Sequence, residues 1–272
     1  TLVAEHGDLI RLLVHPGEVN RGIAETYWLA MTMASGEYLA FLEPDDHWGD
    51  NYLSNKLSIF QRLPEVNVVF SPCAVITEGT LGMEMSMRQW LLGLAIPRQQ
   101  AIDCFTSMLR RNAIATFSAF CVRRSAVIEM PMPPSRTTHF VDWWMLLLLS
   151  SNGPFFLDPH SLVHWRQRPD SALRRRNFSL LKADLIGFFE YSASHFQLRA
   201  GSLTAGKRRA FQRHLITLPL MIDFYRTPSL ARYLAFFRRN PRWAIEILAS
   251  YLVNSRKHRQ RVHDEPDYGV SP

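Results

Sequence analysis

The chain has 272 residues, 47% of them hydrophobic, with 31 Lys and Arg against 24 Asp and Glu and a formal net charge of +7. That supports one large globular domain, or a domain plus an appendage. Cys73, Cys104 and Cys121 are odd in number and lack C-x-x-C spacing, which excludes a disulfide framework and a zinc knuckle and fits a reducing, cytosolic setting.

No stretch approaches the roughly 18 apolar residues that a spanning helix needs. The longest, Trp143 to Leu149 and Trp243 to Val253, are short or carry Glu246. The start at Thr1 shows no signal-peptide order and reads as a fragment or processed product. Charge is uneven: residues 201–261 hold 13 Lys and Arg against Asp223 and Glu246, a local +11, so the remainder is net negative. Such a basic segment suits a nucleic acid, an anionic membrane surface or solvated helix faces.

In chain order, Leu9 to Val14 reads as a short buried strand, Pro16-Gly17 and Asn20-Arg21-Gly22 as a loop, and Ile23 to Met33 as a helix. After the Ser35-Gly36 break, Tyr38 to Leu42 is an apolar strand that ends in Glu43-Pro44-Asp45-Asp46. A helix from Asp50 to about Leu63, with Leu53, Leu57 and Phe60 on one face, stops at Pro64, and Val66 to Phe70 is the next strand. This β-α-β alternation predicts an α/β domain with a mostly parallel sheet, whose ligands bind outside the carboxyl ends of the strands. The stretch Thr77 to Met87 reads as loop, Arg88 to Leu94 as helix, Phe117 to Val122 as strand and Pro131 to Arg136 as a Pro-rich loop. Asp142 to Leu149 reads as a buried helix with an Asp cap, stopped before Asn152-Gly153. From about Leu180 onward the pattern is helical, which divides the chain into residues 1–175 and a helical, basic part, 176–272.

The densest chemistry lies in Gly36-Glu37-Tyr38-Leu39-Ala40-Phe41-Leu42-Glu43-Pro44-Asp45-Asp46-His47-Trp48, where three carboxylates crowd the end of a buried strand. Carboxylate oxygens suit Mg²⁺ or Mn²⁺, which neutralises charge building on a diphosphate leaving group. The plainer reading is an acidic turn whose Asp caps the next helix.

This segment resembles the strand and acidic motif of family 2 glycosyltransferases, with Glu43 where that family usually has Asp. The resemblance implies a Rossmann-like nucleotide-diphospho-sugar transferase fold and an inverting, metal-dependent transferase. Its donor would be a nucleotide-sugar, UDP-sugar being the default, and its acceptor a saccharide or a lipid-linked envelope molecule. Asp45 and Asp46 would hold the metal, with Glu43, Asp45 and Asp46 on the donor. Asn20-Arg21-Gly22 resembles the family's Asn-x-Gly donor loop, so Asn20 and Gly22 join the donor residues, although Tyr27-Trp28 replaces the usual Arg-Asn in the helix that follows.

His139-Phe140-Val141-Asp142-Trp143-Trp144 resembles the family's acidic pair and aromatic helix, which makes Asp142 the expected general base and puts Trp143 on the acceptor side. Arg166-Gln167-Arg168-Pro169-Asp170-Ser171 resembles its Arg-x-His-x-x-Ser ending, with Arg166 and Arg168 suited to clamp a diphosphate or an anionic acceptor. Phe117-Ser118-Ala119-Phe120, followed by Arg123-Arg124, resembles the acceptor-side strand, placing Ser118 there. The resemblance spans roughly residues 8 to 171. The family's opening strand, helix and strand have no counterpart before Leu9, so the expectation is a protein longer at its N-terminus and a chain that by itself binds donor poorly.

His160 and His164 are four apart but on a strand pattern, and read as structural. The amphipathic basic stretches around Phe236-Phe237-Arg238-Arg239 suit peripheral association with an anionic inner membrane face, and no reader motif points to nucleic acid. The non-enzymatic alternative is a catalytically degenerate domain kept as a binding or scaffold module.

Overall fold

A computed structural model describes residues 9–77, 80–85, 100–132, 140–167, 178–241 and 244–245. Its helices are α1 (Ile23–Met33), α2 (Tyr52–Arg62), α3 (Phe105–Met108), α4 (Val141–Asn152), α5 (Phe178–Leu198), α6 (Ala205–Arg226) and α7 (Leu230–Arg239). The strands are β1 (Tyr38–Ala40), β2 (His47–Trp48), β3 (Val68–Phe70), β4 (Cys73–Thr77), β5 (Thr80–Met85), β6 (Ala101–Ile102), β7 (Phe120–Arg123), β8 (Phe155–Leu157) and β9 (Val163–Gln167). The chain is a mixed α/β protein with two mixed sheets.

The first sheet has the order β1-β7-β3-β8-β6. Only the β3–β8 pairing is parallel; β1–β7, β3–β7 and β6–β8 are antiparallel. The expected mostly parallel sheet is therefore corrected. What does hold is that β1, β3 and β8 run in one direction, because β7 is inserted between β1 and β3 with the opposite one. Val68, Val69, Phe120, Val122 and Phe155 have no exposed surface, which is why these strands read as continuous apolar runs rather than alternating ones. The second sheet, β2-β9-β4-β5, pairs β9 with β4 in parallel and its outer strands antiparallel.

Three other expectations change. Leu9 to Val14 is not a strand: no described strand pairs with it, and Leu9, Leu12 and Val14 are exposed. Thr77 to Met87, expected as loop, enters the β4–β5 ladder through Met85, with β9 supplying β4's other neighbour. Helix α2 buries Tyr52, Lys56, Ile59 and Phe60 and leaves Leu53 and Leu57 exposed. The i, i+4, i+7, i+8 face is present but rotated, because Lys56 Nζ pairs with Asp158 Oδ2 at 2.7 Å with both side chains almost wholly buried. Arg123, expected beside an acceptor strand, donates instead to the carbonyls of Phe60 (2.7 Å) and Val66 (2.9 Å), closing the C-terminal end of α2. The expected Arg88 to Leu94 helix and most of the Pro131 to Arg136 loop lie outside the described residues.

Helix α4 is buried on every side, with Trp144, Met145, Leu146, Leu147 and Leu149 at zero exposure. Helix α5 covers part of it: Trp143 meets Phe188 at 4.4 Å and Trp144 meets Tyr191 at 4.9 Å between ring centroids. The three cysteines are buried, and none forms a disulfide.

The chain divides into two compact units, Thr1–Phe211 and Gln212–Pro272. Helix α5 thus belongs with the first unit. In the second, Ser229 caps α7 by accepting from the Arg232 amide, Arg232 pairs with Asp223 at 2.9 Å, and Phe236 is fully buried. Among the described residues, no helix is long and apolar enough to cross a membrane.

Candidate functional site

Strand β1 delivers the chain to a β-turn, Glu43-Pro44-Asp45-Asp46, closed by the Asp46 amide donating to the Glu43 carbonyl at 3.0 Å. Pro44 sits where its fixed φ favours such a turn. The turn is held from one side. Ser118 Oγ accepts from the Glu43 amide at 2.9 Å, and the Ser118 carbonyl accepts from Trp48 Nε1 (2.8 Å) and the Tyr52 hydroxyl (2.9 Å). Thr116 Oγ1 donates to Glu43 Oε2 and lies 3.2 Å from Asp46 Oδ2, so one hydroxyl serves two carboxylates. Asp46 Oδ1 accepts from the Arg166 amide at 3.0 Å, which ties the turn to β9.

The electrostatics follow from this crowding. Burial pushes Glu43 up from the ordinary 4.5 to about 7; the charges of Asp46, Asp142 and Asp45 add to the rise, and the Thr116 hydrogen bond opposes it. Burial also raises Asp46, against hydrogen bonds from Ser118, the Arg166 amide and Thr116. Among the described residues no Lys or Arg forms an ion pair with Glu43, Asp45 or Asp46, and no hydrogen bond reaches the Asp45 carboxylate.

Asp142, from a distant part of the chain, is held by the same loop that holds the turn: Asn112 donates to it and Thr116, four residues on, donates to Glu43, and the charge of Asp142 acts on both Glu43 and Tyr27. It lies one residue inside α4, whose cap position is Phe140, so the expected Asp cap is corrected. Its Oδ1 accepts from the Trp143 amide and its Oδ2 from Asn112 Nδ2, both at 2.7 Å. Tyr27 of α1 stacks on Phe117 with ring centroids 3.9 Å apart, and its hydroxyl feels the charge of Glu43. Burial, then the charges of Glu43, Asp142 and Asp46, raise that hydroxyl, which stays a neutral donor at physiological pH.

The other expected residues separate. Asn20 Oδ1 accepts from the Gly22 amide at 2.9 Å in an exposed loop, and Gly22, at φ +86°, opens α1; α1 is what connects this loop to the acidic turn, through Tyr27. The Arg166 side chain is exposed on β9, and its main chain makes the contact to Asp46. Arg168 lies outside the described residues. Of the two residues expected on the acceptor side, Ser118 has no exposed surface, and Trp143 is 5% exposed and donates to the Met108 carbonyl at 2.6 Å. Thr116, Asn112 and Tyr27 were missed as site residues. Only the polar residues punctuating the apolar run before β7 hinted at Thr116.

The donor set is all-oxygen. Asp45 offers a carboxylate without a hydrogen bond among the described residues, and Asp46 keeps a lone pair beyond the bonds described, so a hard divalent cation fits the chemistry of the turn. No cluster of three or more described His, Cys, Asp or Glu side chains is already gathered around one ion position.

No established family profile matches the chain. Over 155 residues it is 28% identical to the uncharacterized protein Rv1520 of Mycobacterium tuberculosis strain H37Rv, and equally to the uncharacterized protein Mb1547 of Mycobacterium bovis. The match covers 55% of this chain and 40% of each relative, so the chain spans less than half the length of the curated relatives it matches.

Proposed function

We propose that the chain carries a metal-dependent, inverting glycosyltransferase site. A sugar would move from a nucleotide-sugar, UDP-sugar by default, to a saccharide or lipid-linked envelope acceptor on the cytoplasmic side of a membrane. The observation that carries the reading is the convergence of Asp142, from the start of α4, on the three-carboxylate turn after β1. One carboxylate set for a cation and a second, separately held carboxylate for a proton are the two things an inverting transfer needs. The common direction of β1, β3 and β8 supports a nucleotide-diphospho-sugar transferase fold for the first unit, with the acidic turn at the carboxyl end of β1.

Asp45 and Asp46 would hold Mg²⁺ or Mn²⁺, which when bound supplies positive charge for the diphosphate leaving group. Glu43, which accepts from Thr116 and whose amide donates to Ser118, keeps the turn in place. Asp142 would take the proton of the acceptor hydroxyl as that oxygen attacks the anomeric carbon, and Asn112 fixes which carboxylate oxygen faces it. Tyr27 occupies the place of a residue the resembled family uses for the donor, and here its ring stacks on Phe117.

The test is a hydrolysis and transfer screen of UDP-, GDP- and dTDP-sugars with Mn²⁺ or Mg²⁺. Turnover that needs the metal and disappears in Asp142→Asn supports the reading. No donor bound with either metal, by this chain or by a folded form extended at its N-terminus, supports the scaffold alternative instead.

A further inference from the structure

The outer face of the second sheet carries side chains that the site above does not use. Along β9, Val163 is buried and Trp165 points to the same inner side, so His164 and Arg166 share the outer side. His47 of β2 stands directly opposite His164, and the two imidazoles stack 4.2 Å apart with only 4° between their planes. On the other flank, the register sets Ala74 and Ile76 of β4 beside His164 and Arg166. His47 and Arg166 are exposed and His164 half-buried, and at Ala74 only a methyl group borders the imidazole pair. Asp46, next to His47 in sequence, is buried and turned to Thr116 and the Arg166 amide, so its carboxylate does not share this face.

We infer that this face, formed by His47, His164 and Arg166, binds a phosphate or diphosphate group at a position separate from the carboxylate turn. Residues two apart on a strand lie about 7 Å from each other, a span that a diphosphate bridges. Imidazole N–H groups and a guanidinium fork are the donors that recognise phosphate oxygens, the guanidinium with two parallel bonds. A transition metal fits less well, because parallel stacked rings do not aim their nitrogens at one point and the Arg166 charge sits on the same face. The inference takes from the proposed transferase only the expectation that a phosphate is handled near Asp46. The group belongs either to a nucleotide donor or to a lipid diphosphate acceptor.

Calorimetric titration of the full chain with inorganic pyrophosphate in EDTA tests the face without any cation at the turn. Binding should weaken at least roughly fivefold in Arg166→Gln and in His47→Gln, whose side chains are exposed, and should be unchanged in Arg62→Gln, an exposed arginine at the end of α2. Competition by UDP or by farnesyl diphosphate under the same conditions then identifies the source of the phosphate. The inference is overturned if the folded parent does not bind pyrophosphate, if Arg166→Gln and His47→Gln bind as the parent does, or if the His pair takes up Zn²⁺ while pyrophosphate binding ignores both substitutions. Loss of metal-dependent donor binding in Asp45→Ala reports on the transferase reading alone, so the two can fail separately.

Discussion

Asn112 Nδ2 donates to Asp142 Oδ2 across 2.7 Å, while the other oxygen of Asp142 accepts from the Trp143 amide at the start of α4. A carboxylate gripped at both oxygens keeps one orientation, and a general base depends on orientation before it depends on basicity. Asp142→Asn should therefore lower the transfer rate by roughly two to four orders of magnitude with little change in donor binding. Asn112→Ala should lower kcat by a smaller factor while leaving KM for the donor near the parent value. Steady-state kinetics on the donor found by the screen measure both, and an Asn112→Ala effect confined to KM would contradict the positioning role.

Glu43 predicts an unusual pH response. Its folded value is raised to about 7 from the ordinary 4.5, so between those values the folded protein holds a proton that the unfolded chain has lost. Stability from this group falls as pH rises across that window. Without divalent ions, the thermal midpoint should be higher near pH 5 than near pH 7, and Glu43→Gln should flatten the difference. The same proton competes with a cation at the turn, so Mn²⁺ affinity should strengthen as pH rises through about 7.

The buried pair Lys56 and Asp158 makes the opposite prediction in acid. Burial alone would raise Asp158, but Lys56 holds it below the usual carboxylate range, helped by Ser161 and the His160 amide. Its stabilisation is present above the unfolded value and is lost as pH falls through the lower folded one. Lys56→Met leaves an uncompensated buried carboxylate and should cost about 3–5 kcal/mol in urea unfolding. The double variant Lys56→Met, Asp158→Asn should recover part of that loss, and additive single effects would show that the pair is not coupled.

Much of the frame was legible in the sequence. Ser35-Gly36 and Asn20-Arg21-Gly22 bracket α1 so clearly that Ile23–Met33 is the helix expected, and the acidic turn was found because three carboxylates follow an apolar strand. The misreadings share a cause. Leu9 to Val14 needs a partner strand before it can be one, and β4 draws one side of its ladder from β9, some ninety residues away. The face of α2 could not be oriented from periodicity while Lys56 seemed a surface residue, because Asp158, which buries it, lies 102 positions on. Thr116, Asn112 and Tyr27 escaped notice for the same reason: a threonine is a site residue only once the fold brings two carboxylates to it.

The second unit offers a surface prediction. Helix α7 exposes Leu230 and Leu234 together with Arg238 and Arg239, an apolar stripe ending in positive charge. If this helix meets an anionic membrane, the chain should float with phosphatidylglycerol vesicles at low salt, and the Leu234→Glu, Arg238→Glu double variant should stay behind. Equal flotation of parent and variant would remove α7 from the contact.

The most direct test of the central claim is Mn²⁺ titration of the chain, with and without UDP, in the parent and in Asp45→Ala. The account predicts that the parent binds the ion more tightly with UDP present and that Asp45→Ala loses this binding while remaining folded. A parent and an Asp45→Ala variant that bind Mn²⁺ and UDP equally well would contradict it, because the carboxylate turn would then have no part in holding the donor.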